Sequence, residues 1–117
     1  VNWTGEYAGK VQHHAGFLYF QGGSSGFQFR SSGGTDRLRL DSNGHLRPGT
    51  NNTYDLGTSS FRWRNIYTND LNLSNEGGAN DVDGTWGNYT IQEGEDDLFL
   101  INKRNGKKYQ FMLKEVS

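Results

Sequence analysis

Residues 51–69 read NNTYDLGTSSFRWRNIYTN, and the rest of the chain is interpreted around them. Six large apolar residues lie among turn-forming Asn, Asp, Gly and Ser residues: Tyr54, Leu56, Phe61, Trp63, Ile66 and Tyr67. Leaving so many apolar side chains in water is unfavourable, so the segment must bury them. Hydrophobic residues are only 32% of the 117 residues and 17 others are Gly, so the chain has little apolar surface to cover them. We expect the missing burial to come from other copies of the chain.

On both sides of this stretch, short apolar or alternating runs are separated by turns. Four-residue runs of this kind occupy residues 17–20, 27–30 and 37–40, and the Asn43-Gly44 pair predicts a tight hairpin after them. Near the end of the chain, residues 71–74, 89–92, 98–103 and 108–116 read as strands, with a hairpin turn at Asn105-Gly106. The pattern predicts an all-β fold of short strands and hairpins, ending in a small antiparallel β-meander.

The organisation predicted from these runs has two regions. Residues 1–74 form a Gly/Ser-rich fibre region, starting with an irregular segment that includes a short strand. Residues 75–117 form a loop (75–87) followed by the meander. Within the first region, residues 61–69 favour a strand or a turn leading into one, although Trp63, Ile66 and Tyr67 also have the spacing of one helical turn.

Composition excludes several classes of function. The net charge is −1, with basic and acidic residues interspersed, which predicts neither nucleic-acid binding nor attraction to an anionic membrane. No apolar run approaches the roughly 20 residues of a membrane span. The absence of Cys removes thiolate chemistry. We expect no cofactor. Because the chain begins with Val1, we expect it to be part of a longer or processed protein.

Candidate chemical motifs are weak. Asp81 and Asp83 precede Gly84 as in a calcium loop, but Ala79 and Thr90 stand where that loop needs oxygen ligands at its first and last positions, so a polar turn is favoured. The acidic residues 93–97 are interpreted as a solvated turn facing the basic residues 103–108 of the next hairpin. The three His residues are scattered, which leaves only an axial ion held by three copies of one His as an alternative.

The aromatic residues beside the loop are the remaining site candidates. Trp86 and Tyr89 flank the end of residues 75–87, and such rings can stack on sugars while their polar atoms donate hydrogen bonds. Together with Asp81 and Asp83 they are candidate receptor or glycan contacts. The alternative is that Trp86 covers the core beneath the loop.

A family resemblance follows from residues 38–67. Their landmarks are RLDSNG (39–44), Pro48-Gly49, Asn52, YDLG (54–57), Ser59, Arg62-Trp63 and NIY (65–67). This pattern resembles a module near the C-terminal end of bacteriophage tail fibre and tail spike proteins. The resemblance implies an intertwined homotrimer at the host-facing end of the virion. The self-cleaving chaperone domain that follows the module in many such fibres has no counterpart here.

The leading interpretation is therefore a non-enzymatic, trimeric adhesin from the distal part of a phage tail fibre, which recognises a host-surface glycan or protein receptor. The predicted inter-subunit packing residues are Tyr54, Leu56, Trp63, Ile66, Tyr67, Phe99 and Phe111. One alternative is a monomeric carbohydrate-binding β-domain, with Trp86 and Tyr89 as its sugar platform. A third is a fragment of a polysaccharide-degrading spike with carboxylates at subunit boundaries.

Overall fold

The computed structural model describes residues 9–117. Within them the chain forms short strands, all paired antiparallel, and no helix, which confirms the all-β class. Residues 1–8, where the sequence predicts an irregular start, lie outside this range. The strands are β1 (Lys10–His14), β2 (Phe17–Gln21), β3 (Gly26–Arg30), β4 (Asp36–Asp41), β5 (Leu46–Pro48), β6 (Leu71–Ser74), β7 (Asn88–Glu93), β8 (Leu98–Asn102) and β9 (Lys108–Gln110).

Two compact units divide the chain between Arg62 and Trp63. The first contains the β1–β2 hairpin and the three-stranded sheet β3–β4–β5, and the second contains the four-stranded sheet β6–β7–β8–β9. Strand β6, inside the predicted fibre region 1–74, pairs with β7 of the second unit. The assignment of residues 1–74 to a fibre and 75–117 to a tip stays a prediction. The described residues offer no helix of the length and apolarity that crossing a membrane requires.

The β1–β2 hairpin turns at Ala15 and Gly16, whose φ angles are 51° and 82°. His14 pairs with Phe17, so the loop has two residues, both with the positive φ of a type I′ turn. Ala adopts this backbone region reluctantly, because its Cβ crowds the following carbonyl oxygen. The sequence does not predict β1, since Val11 is its one aliphatic residue and Ala-Gly is not a typical turn pair.

The sheet β3–β4–β5 has one apolar and one polar face. Phe27 pairs with Leu40, and Leu40 pairs with Leu46. Paired residues point to the same face and neighbours along a strand to opposite faces. The apolar face therefore carries Phe27, Phe29, Leu38, Leu40, Leu46 and Pro48, and the polar face carries Gln28, Arg39 and Arg47.

Two glycines allow the close approaches in this sheet. A Cβ at Gly26, whose φ is 98°, would overlap the Leu40 carbonyl oxygen, and a Cβ at Gly49 would overlap that of Asp36. The Gly of the Pro48-Gly49 pair therefore permits β5 to leave the sheet beside the start of β4.

The sheet β6–β7–β8–β9 contains the predicted meander as β7–β8–β9 and adds β6, a strand expected in the fibre region. Its central row pairs Leu71 with Ile91, Ile91 with Leu100 and Leu100 with Tyr109. Alternation then gives one predominantly apolar face, hereafter the leucine face: Leu71, Leu73, Tyr89, Ile91, Leu98, Leu100 and Tyr109. The opposite face carries Asn72, Thr90, Gln92, Phe99, Ile101, Lys108 and Gln110.

Several predicted details differ from the structure. Residues 49–70 contain neither strand nor helix, so the prediction of a strand or a helical turn at 61–69 was wrong. The other option, a segment leading into a strand, agrees with β6 beginning at Leu71. The returning strand ends at Gln110 rather than 116; only the Phe111 amide extends the pairing, by donating to the Leu98 carbonyl. The Asn-Gly turns have positive φ only at Gly44 and Gly106, because side-chain hydrogen bonds to Asp41 and Asn102 shape the rest of each turn.

The predicted pairing of acidic and basic turns is also wrong. Residues 94–97 connect β7 to β8, whereas residues 103–107 connect β8 to β9, so the two turns lie at opposite ends of β8. Asp97 instead accepts a hydrogen bond from Gln110 Nε2 at 2.6 Å. Within residues 9–117 the ion pairs are Arg39–Asp36 and Arg47–Asp41.

Burial is very low throughout the described residues. None of the hydrophobic side chains is buried there, and Thr90, at 1% exposure, is the one residue classed as buried. Its hydroxyl donates to Asn72 Oδ1 at 2.6 Å. The sheets therefore owe their order within the chain to backbone pairing rather than to an apolar core.

Candidate functional site

The loop of residues 75–87 connects β6 to β7 and is closed at its base. Asn75 donates its amide to the Gly87 carbonyl at 3.3 Å, and the Gly87 amide donates to Asn75 Oδ1 at 2.7 Å. The Gly78 amide donates to the Asn75 carbonyl. These hydrogen bonds fix the start of β7 and the loop residues next to it.

Asn80, Asp83 and Thr85 hold the far part of the loop in a compact turn. Asn80 Oδ1 accepts from the amides of Val82 and Asp83, and Asn80 Nδ2 donates to Asp83 Oδ1 at 2.7 Å. Asp83 Oδ1 also accepts from the amide and the hydroxyl of Thr85. The pKa of Asp83 is lowered mainly by the hydrogen bond from Asn80 and next by those from Thr85. The predicted polar turn is thus present, stabilised by the ionised carboxylate.

Trp86 is tied to the β8–β9 turn by Arg104. The guanidinium carbon of Arg104 lies 3.7 Å from the centroid of the indole ring, a stacked cation–π arrangement. Arg104 Nη1 also donates to the Trp86 carbonyl at 2.9 Å. These two contacts hold the guanidinium over the ring.

Tyr89 lies on β7, next to the same turn. Asn102 Nδ2 donates to the Tyr89 hydroxyl at 3.3 Å, while Asn102 Oδ1 accepts from the Arg104 amide at 3.0 Å. One side chain therefore orients Tyr89 and shapes the turn that carries Arg104.

Two grooves adjoin this cluster. The loop groove has a volume of about 620 Å³ and is lined by Asn72, Leu73, Ser74, Asn75, Asn80, Asp83, Thr85, Trp86, Gly87 and Tyr89. The turn groove, of about 440 Å³, is lined by Thr85, Trp86, Gly87, Tyr89, Asn102, Arg104 and Asn105. Trp86 and Tyr89 belong to both grooves.

The four candidate receptor contacts separate in the structure. Trp86, Tyr89 and Asp83 line the loop groove, whereas Asp81 is exposed and lies outside both grooves. One ring face of Trp86 is covered by Arg104, which leaves less of the indole for sugar stacking than the sequence suggests. Asn80 and Arg104 were missed. The sequence shows Arg104 in a basic hairpin turn, but that turn was expected to face the acidic residues 93–97 rather than the loop of residues 75–87.

The predicted packing residues have different surroundings. Tyr54 is half-buried, and its hydroxyl accepts from Arg37 Nη1 at 2.7 Å. Phe111 is brought opposite Leu98 by its backbone bond, while Phe99 points to the other face of the sheet. The rest of the set is exposed by 65% or more: Leu56, Trp63, Ile66 and Tyr67.

The chemistry available here is recognition by hydrogen bonds and ring contacts. No group of three His, Asp or Glu residues in the described range is placed to hold a metal ion. The grooves contain one carboxylate, Asp83, which already accepts three side-chain and backbone hydrogen bonds.

The chain matches no family model, no curated protein and no solved structure.

Proposed function

We propose that this chain is one subunit of a homotrimeric phage tail fibre, exposed at the host-facing end of the virion, that attaches to a cell-surface receptor without enzymatic activity. The observation that carries the proposal is the lack of a core. Within residues 9–117 no hydrophobic side chain is buried, while 21 large ones are exposed. In a domain that folds alone, Ile, Val, Leu and Phe are among the residues most often fully buried.

The accessible area supports the need for partner subunits. The chain of 13.2 kDa exposes 10830 Å². Two compact units of half that mass would together expose about 7,700 Å². The excess means that the folded chain is less compact than independently folded units of this size.

The distribution of the exposed residues favours association between copies of this chain. Apart from Tyr89, which lies at the groove end of the leucine face, the leucine face and the apolar face of β3–β4–β5 are surfaces suited to packing against an equivalent sheet. Large side chains are added by a segment that pairs with no strand among residues 9–117: Phe61, Trp63, Ile66 and Tyr67. Three copies interleaving these surfaces would supply the burial that one chain lacks.

The viral assignment rests on the module in residues 38–67. Its RLDSNG landmark spans the end of β4 and the β4–β5 turn, and its Pro-Gly pair ends β5 where Gly49 fits against Asp36. A host-facing fibre presents its loops in three copies, so weak contacts to a repeated surface receptor reinforce each other. In this proposal the loop of residues 75–87 and the two grooves face the receptor.

Sedimentation equilibrium of the full chain at micromolar concentration tests the proposal. We expect three times the monomer mass of 13.2 kDa. A cooperatively folded monomer would contradict the fibre and favour a monomeric carbohydrate-binding domain using Trp86 and Tyr89. Release of reducing ends from a host polysaccharide would contradict the non-enzymatic assignment.

A further inference from the structure

The turn groove presents an arginine that is fixed in place. Stacking on Trp86 and the 2.9 Å hydrogen bond from Nη1 to the Trp86 carbonyl fix the Arg104 guanidinium. Within residues 9–117, Arg104 Nε and Nη2 donate to no protein acceptor. Two parallel donors on a rigid guanidinium match the two oxygens of a carboxylate.

The positive charge of Arg104 is not compensated nearby. The groove has no acidic side chain among its lining residues, and Arg104 forms no ion pair with any described residue. The acidic turn of residues 94–97 lies at the other end of β8. Lys103 and Lys107 flank Arg104 in sequence, so the turn is locally basic in a chain whose net charge is −1.

The neutral groups of the groove are also mainly donors. The Tyr89 hydroxyl accepts from Asn102 and keeps its own proton to donate. Asn105 Oδ1 accepts from the Lys107 amide at 2.9 Å, which leaves Asn105 Nδ2 facing no acceptor in the described residues. Asn102 Oδ1 accepts from the Arg104 and Asn105 amides. The side-chain oxygens of Asn102 and Asn105 are therefore occupied, while Arg104, Tyr89 and Asn105 keep donors for a ligand, so the groove suits an oxygen-rich anion.

We propose that the turn groove binds a carboxylate-bearing sugar. Its carboxylate pairs with Arg104 Nε and Nη2, and its ring and hydroxyl oxygens accept hydrogen bonds from Tyr89 and Asn105. The volume of about 440 Å³ accommodates one or two sugar rings. The proposal deepens the receptor-binding part of the proposed function by naming the receptor chemistry.

Titration of the full chain with D-glucuronate tests this, followed by the NMR signals of the Trp86 indole N–H and the Arg104 Nε–H. We expect saturable shifts with a dissociation constant on the order of 1 mM, since one sugar makes few contacts. D-glucose, which lacks the carboxylate, should bind about 10-fold more weakly. Inorganic sulfate should also bind more weakly, because it makes no ring contacts.

Matched arginine variants identify the group responsible. Arg104→Gln should weaken glucuronate binding about 10-fold, and Arg104→Lys should fall between, because it keeps the charge without the paired donors. Lys10→Gln, the same loss of one positive charge at an exposed site outside the groove, should leave binding unchanged. Tyr89→Phe removes one hydroxyl from the groove and is the substitute test of the site if Arg104→Gln disturbs the fold.

Three results would overturn the inference: equal affinity for glucose, equal affinity for sulfate, or full affinity in both Arg104→Gln and Tyr89→Phe. The outcome is separable from that of the fibre proposal. A monomer that binds glucuronate refutes the trimer alone, whereas a trimer that does not bind it refutes the sugar-acid site alone.

Discussion

The four-stranded sheet β6–β9 and residues 49–70 differ in how far a single chain completes their backbone pairing and side-chain burial. In the sheet, register pairs every strand with a neighbour, and its Leu, Ile and Tyr side chains are half-buried or moderately exposed. Residues 49–70 carry comparable apolar side chains without a strand, and Tyr67 is 92% exposed. Backbone pairing is thus completed within one chain, whereas burial of the largest rings is not. One copy of the chain therefore forms the sheets, whereas burial of the largest rings would need an assembly of copies.

The largest effect should follow from removing a central ring. Trp63→Ala should dissociate the trimer, because each of three copies loses a buried indole, a change of about 3–5 kcal/mol per site in packed interiors. Within a single chain the ring is 65% exposed, so the secondary structure should persist. Sedimentation and far-ultraviolet circular dichroism measure the two quantities separately.

Val82→Ala is the matched control for Trp63→Ala, since Val82 is 96% exposed in the loop of residues 75–87. It should leave the mass unchanged. Trp63→Ala with an unaltered mass would remove residues 49–70 from the interface and leave the two apolar sheet faces as the remaining candidates.

A second prediction concerns the backbone contacts that one copy completes alone. Gly26→Ala should lower the free energy of unfolding by about 2–4 kcal/mol, because the residue has positive φ and its Cβ would overlap the Leu40 carbonyl. Thermal unfolding is the measurement. Gly23→Ala, where a Cβ meets no atom within 4 Å, should change stability by less than about 0.5 kcal/mol. Equal effects of the two variants would mean that the close approach in β3–β4 is not formed.

Strands that a single chain pairs internally were predictable from the sequence, whereas the conformation of residues 61–69 was not. Phe27 to Arg30 and Arg37 to Leu40 alternate, and this period alone located β3 and β4 to within a residue. In residues 61–69, Trp63 and Tyr67 have high strand propensity, but that propensity reflects packing against a neighbouring strand, and the described part of the chain supplies none there. The loop-side site was found in part through Trp86 and Tyr89. Arg104 was missed because its place beside Trp86 depends on the β6–β9 register, which brings two sequence-distant turns together.

A smaller effect should come from the one buried residue of the described chain. Thr90→Val keeps the shape but leaves Asn72 Oδ1 without its 2.6 Å hydrogen bond, which should cost about 1–2 kcal/mol of unfolding free energy. Chemical denaturation measures the change. Thr90→Ser, which keeps the hydroxyl and loses a methyl group, separates the hydrogen bond from the packing. If Thr90→Val is neutral and Thr90→Ser is not, packing rather than the polar pair orders the centre of this sheet.

The smallest effect should be a dependence of the loop on acid. The hydrogen bonds from Asn80 and Thr85 lower the pKa of Asp83 below its ordinary value of 3.8. The folded loop therefore binds the proton less readily than the unfolded chain, and the stabilisation is complete above pH 3.8 and is lost as pH falls through the lowered pKa. Carboxyl NMR of Asp83 should show this titration, and Asn80→Ala should move the pKa back up, since it removes the largest cause of the shift. A pKa at or above 3.8 in the unaltered chain would mean that the Asn80–Asp83–Thr85 turn does not persist in solution. Both grooves would then lose Thr85 as a fixed wall, while the β6–β9 register would remain.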